Sequence, residues 1–72
     1  MSDGFLIVLR GYDRPQVDQL LEQARTALAA GSAGRRAEAK QALETAALPI
    51  RLRGYDRRGV DEAFTALIAQ LG

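Results

Sequence analysis

Two Arg-Gly-Tyr-Asp segments, residues 10–13 and 53–56, hold most of the side chains in this 72-residue chain that could do chemistry. After the first, Tyr12 is followed by carboxylates at Asp18 and Glu22, an i,i+4 pair that a helix sets side by side on one face. After the second, Tyr55 is followed by Asp61, and Thr65 stands where Glu22 stood. Paired carboxylates can divide general acid and base roles. They can equally line a groove that takes a protein partner. The chain has no His and no Cys, which removes imidazole and thiolate metal sites, Cys and Ser–His nucleophiles, and histidine acid–base chemistry. We therefore expect no enzyme, no metal, no cofactor and no small-molecule substrate. A plainer reading of the segment needs no ligand at all. Gly11 and Gly54 supply a turn, where a positive φ is useful. Asp13 and Asp56 cap a following helix, and each Tyr packs its ring while its hydroxyl finds a backbone acceptor.

The one basic concentration is Arg51, Arg53, Arg57 and Arg58, with Arg35 and Arg36 upstream. Its plain reading is a solvated face with ion pairs to Asp61, Glu62 or Glu44. A second reading is weak contact with an anionic membrane surface, where each basic residue contributes about 1 kcal/mol. Ten basic against nine acidic residues leave a net charge of +1, so no global field marks a nucleic-acid binder.

These residues must be held by a small fold. At 72 residues the chain is expected to form one domain, 1–72, near the size limit for independent stability. The longest apolar run, Phe5 to Leu9, is too short to cross a bilayer and has no basic flank before it. The expected address is cytoplasmic. With a thin core and no disulfide, self-association is also expected, a dimer being favoured.

The segments recur because the chain is a tandem repeat. Residues 5–29 and 48–72 match at an offset of 43, with ten of 25 positions identical and an unbroken run Leu-Arg-Gly-Tyr-Asp-Arg. Leu48, Ile50 and Leu52 alternate with Pro49, Arg51 and Arg53, which predicts a half-buried strand. In the first copy Leu6 and Val8 make the other face apolar too, so that strand is expected to be the more buried. Val17, Leu20, Leu21, Ala24 and Leu28 form one helical stripe, and Val60, Ala63, Phe64, Leu67, Ile68 and Leu71 form another. Gly31 suits a helix stop. The connector, 30–47, carries Ala39, Ala42, Leu43 and Ala46 on one face. The prediction is an α+β, mainly helical fold with strands at about 5–10 and 48–53 and helices at about 14–30, 36–47 and 57–71. Two strands need a helical layer. The simplest closed arrangement pairs them with each other about a pseudo-two-fold axis, and symmetry favours the antiparallel sense.

The motif R-G-Y-D-x-x-x-V-D after an apolar residue, at Leu9–Asp18 and Leu52–Asp61, resembles the N-terminal domain of the DivIVA and GpsB proteins of Gram-positive bacteria. The resemblance covers both repeats and not the connector. It implies a non-catalytic scaffold or interaction module of cell division or polar growth, which dimerises and docks a protein partner. It further implies membrane contact by the apolar-Arg tips, here Leu9 with Arg10 and Leu52 with Arg53. From the GpsB branch it implies a groove for Arg-bearing peptides, matched here by Tyr12, Asp18 and Glu22 and by Tyr55 and Asp61. Family members carry one motif followed by a long coiled coil, whereas here a second motif replaces the coil. Three functions follow as alternatives: a partner-docking module, a membrane-associating element peripheral to the inner face of the cell membrane, or a structural subunit of a larger assembly.

Overall fold

The structure is a computed structural model and describes residues 5–72; residues 1–4 of the expected domain lie outside the described residues. The fold is α+β and mainly helical, with three helices and four very short strands. In chain order these are β1 (Ile7–Val8), β2 (Gly11–Tyr12), α1 (Arg14–Ala30), α2 (Ala33–Thr45), β3 (Ile50–Arg51), β4 (Gly54–Tyr55) and α3 (Arg57–Leu71).

Local chemistry sets the helix ends. The Gln16 amide donates to Asp13 Oδ2 at 3.2 Å and the Gly59 amide to Asp56 Oδ2 at 3.0 Å, so both motif aspartates cap their helices. Pro15 sits in the opening turn of α1, where no amide is needed. Gly31 ends that helix in the left-handed region at φ 68°. Ser32 then caps α2, its Oγ accepting from the Arg35 amide at 3.3 Å. The connector helix thus starts and stops a little earlier than its apolar spacing predicts.

Each segment expected as one strand instead yields a two-residue strand and a two-residue bend, and a second strand follows at Gly11–Tyr12 and at Gly54–Tyr55, running in the same direction as the first. All pairings are antiparallel, and the sheet order is β1-β4-β2-β3. No strand pairs with the other strand of its own repeat. The turn after β1 steps over β4, and the turn after β3 steps over β2. Consequently β1 and β3, expected to pair with each other, lie on opposite edges. Matching backbone bonds close the two halves: the Asp56 amide donates to the Leu6 carbonyl at 2.8 Å, and the Asp13 amide to the Pro49 carbonyl at 3.0 Å. These partners are pseudo-equivalent at the offset of 43.

The motif glycines serve a purpose other than the expected one. Neither has a positive φ, a conformation that only Gly31 adopts among the described residues. Gly11 and Gly54 are buried where the two inner strands cross. A Cβ on Gly11 would lie 2.6 Å from the Gly54 carbonyl oxygen, and one on Gly54 would lie 2.5 Å from that of Gly11. What is needed here is the absence of a side chain, not an unusual backbone angle.

Below the sheet, Val17 and Val60 are fully buried at equivalent places, as are Leu21 and Phe64 to within a few per cent. Ala24, Ala27 and Leu71 extend this core, and α2 packs Ala39 and Leu43 against both α1 and α3. The first strand is only marginally the more buried, Val8 of β1 being half-buried where both residues of β3 are exposed. Leu6 is 71% exposed and Leu9 68%, because β1 is an edge strand and the helices cover only the middle of so narrow a sheet.

Candidate functional site

Residues opposite one another in adjacent strands share a face. The registers Ile7↔Tyr55, Tyr55↔Tyr12 and Tyr12↔Ile50 therefore place four side chains in one row, with both tyrosines at its centre. From there each Tyr reaches the helix of the other repeat, where its hydroxyl meets a carboxylate and not the expected backbone acceptor. The Tyr12 hydroxyl donates to Asp61 Oδ1 at 3.1 Å, and the Tyr55 hydroxyl donates to Asp18 Oδ1 at 2.7 Å. Sequence spacing groups Tyr12 with Asp18 and Glu22, and Tyr55 with Asp61; the fold exchanges the partners. Glu22 stands apart on the exposed side of α1, 3.8 Å from Arg25 and beside a depression that Arg35 also lines.

The two exchanged pairs have different surroundings. Beside Tyr55 the ring of Phe5 packs at 5.2 Å between centroids and also covers Gly59. The equivalent of Phe5 in the second repeat is the smaller Leu48. Next to Tyr12 this leaves a cavity of about 410 Å³ with Leu43, Leu48, Phe64 and Ile68 as apolar lining and Glu44, Asp61, Thr65 and Tyr12 as polar lining. Two carboxylates line it and no cation does. Glu44 comes from the connector, outside the repeat, so comparing the two copies could not place it here. Of the ion pairs expected for the Arg cluster, with Asp61, Glu62 or Glu44, the one to Glu62 forms, Arg58 lying 3.6 Å from it, while Arg51 Nε donates instead to Asp13 Oδ1 at 3.0 Å.

Burial of the Tyr12 phenol raises its pKa above the usual 10, and the hydrogen bond to Asp61 and that carboxylate's charge add to the rise; Arg57 acts the other way. Tyr12 thus remains a donor well above neutrality. A folded-state pKa above the unfolded one means this contribution to stability is complete below pH ~10 and lost as pH rises through the folded value. Tyr12→Phe is expected to destabilise the chain by about 1 kcal/mol at neutral pH, with the gap to wild type narrowing in alkaline urea melts. A gap that stays constant up to pH ~11 would contradict this linkage.

The apolar-Arg tips are open. Leu9 is 68% exposed and Leu52 76%, and the Arg after each is exposed. Arg10, from the first tip, lines a shallow hollow with Ile50, Arg51 and Leu52 of the other repeat. No helix of the described residues is long and apolar enough to cross a membrane. In comparisons with family models, curated proteins and solved structures, the chain has no match.

Proposed function

We propose that this chain is a non-catalytic, self-associating interaction module that docks a cationic segment of a protein partner in the cleft beside Tyr12. The single observation behind this reading is the cleft's composition: an apolar lining with Asp61 and Glu44 and, among the described residues, no Lys or Arg in the lining itself. An Arg side chain suits it, because its stem can lie on Leu48 and Ile68 while its planar fork reaches a carboxylate. The twofold R-G-Y-D-x-x-x-V-D motif supports a DivIVA-like relationship, and with it a cytoplasmic role near sites of division or polar growth. In this tandem the second repeat takes the place of a second chain.

A second reading is favoured by the exposed Leu9/Arg10 and Leu52/Arg53 tips, which suit weak, peripheral contact with an anionic membrane surface. One experiment separates the two. A short Arg-containing peptide, and separately vesicles with anionic lipid, are titrated into the isotope-labelled protein at low salt. The docking reading expects the peptide to shift the amides of Tyr12, Thr65 and Ile68. Asp61→Asn keeps an acceptor for Tyr12 while removing the charge, and should weaken that binding about tenfold. Equal binding by the variant would contradict the docking reading. Vesicle-induced broadening confined to 9–10 and 52–53 would support the membrane reading, and unchanged spectra would count against it.

A further inference from the structure

The two edges of the sheet are pseudo-equivalent in backbone and opposite in chemistry. On the β1 edge the chain reads Phe5-Leu6-Ile7-Val8-Leu9, with no charge and no proline. On the β3 edge the equivalent residues are Leu48-Pro49-Ile50-Arg51-Leu52. Proline and charge are the devices that keep an edge strand from pairing with another chain. The β3 edge has both, and the β1 edge has neither.

The β1 edge also has backbone groups to satisfy. The bond from the Asp56 amide to the Leu6 carbonyl flanks the Ile7↔Tyr55 pair, the pattern of a widely spaced antiparallel pair. The N–H and C=O of Ile7 therefore point away from β4, and among the described residues nothing pairs with them. Around them Leu6 is 71%, Ile7 49% and Leu9 68% exposed.

We propose that the β1 edge is a self-pairing surface, and that its occupant is β1 of a second copy of this chain. An antiparallel pair centred on Ile7 lets the two Ile7 residues exchange both backbone bonds across a two-fold axis. Leu6 then faces Val8 of the second copy, while Leu9 lies in the turn beyond the pair, so the cross-strand pairs around Ile7 are all apolar. No like charges meet, since Arg10 lies beyond the paired segment at either end. Pairing through β3 would instead bring in Arg51 and a residue without an N–H, Pro49. One open edge and one guarded edge give a closed dimer, not a fibre. The exposed side chains cover on the order of 300 Å² per copy, below the roughly 800 Å² per partner of a standard interface. The dimer is therefore weak and reversible. This inference names the surface for the self-association in the proposed function and does not depend on what the Tyr12 cleft binds.

The test grafts one edge onto the other. Leu6→Pro with Val8→Arg gives the first repeat the edge of the second, on a backbone that already accepts Pro49 and Arg51. Pro49→Leu with Arg51→Val does the reverse. Sedimentation equilibrium from about 10 μM to about 1 mM follows association, with circular dichroism to check the fold. Wild type is expected to pass from monomer to dimer and L6P/V8R to stay monomeric throughout. P49L/R51V, with two open edges, should exceed the dimer. If L6P/V8R unfolds, Leu6→Lys at the exposed position repeats the test and should likewise stay monomeric. A wild type monomeric at about 1 mM, or a dimer that both edge variants leave intact, overturns the proposal. Loss of peptide binding without loss of the dimer would instead count against the cleft alone.

Discussion

Gly11→Ala is expected to lower the melting temperature by about 12 °C or more, and the double variant Gly11→Ala with Gly54→Ala to leave no folded population. The added methyl at either site meets backbone of the opposite repeat well inside van der Waals contact. Backbone at the centre of a sheet cannot rotate away as a side chain tip can. Overpacking of this kind costs about 3 kcal/mol or more, against a total stability of roughly 4–11 kcal/mol for a chain of this length. At this size each kcal/mol corresponds to about 4–8 °C. Gly34 is the internal control. It lies early in α2, its nearest neighbour to an added Cβ is Ser32 Oγ at 3.9 Å, and it needs no positive φ. Gly34→Ala should be neutral or stabilise by up to about 1 kcal/mol. Thermal melts followed at a helical wavelength compare all three. A Gly11→Ala melt within a few degrees of wild type would contradict the glycine crossing.

Features that depend on a few neighbouring residues were legible in the sequence. Asp13 and Asp56 as caps, Gly31 as a stop, and the Val17 and Val60 stripes each follow from one turn of helix. The α+β class and the antiparallel sense followed from the repeat. What escaped was the strand exchange, for two reasons. A two-residue strand has no measurable period, so residues 48–53 resemble one alternating strand even though the chain leaves the β3 edge at Leu52 and steps over β2 to start a new strand at Gly54. The repeat itself also hides the partner: Tyr12 has an Asp at the same helical position in either copy, and local spacing does not distinguish Asp18 from Asp61. The site carried the same ambiguity. The connector's contribution of Glu44, and the opening left by Leu48 where the other copy has Phe5, depend on packing between elements far apart in sequence.

That exchange leads to the second large effect. Every sheet pairing, both Tyr–Asp bonds and both closing backbone bonds join one repeat to the other. A repeat on its own retains a capped helix and no paired strand. Isolated helices of about 15 residues are marginal in water, and a lone two-strand unit is no better. The intact chain folds because its connector holds the halves at a high effective concentration. Separating them removes that advantage without altering any contact surface.

Residues 1–46 and 47–72, divided in the loop after α2, test this most directly when prepared separately and mixed in equal amounts. Each fragment alone should give the narrow amide spectrum of an unfolded chain. Mixing should restore dispersed resonances and slow exchange at the Tyr12 and Tyr55 amides, which pair with each other across the two repeats. Dispersed spectra from either fragment alone, unchanged on mixing, would contradict the account that each repeat is completed by the other.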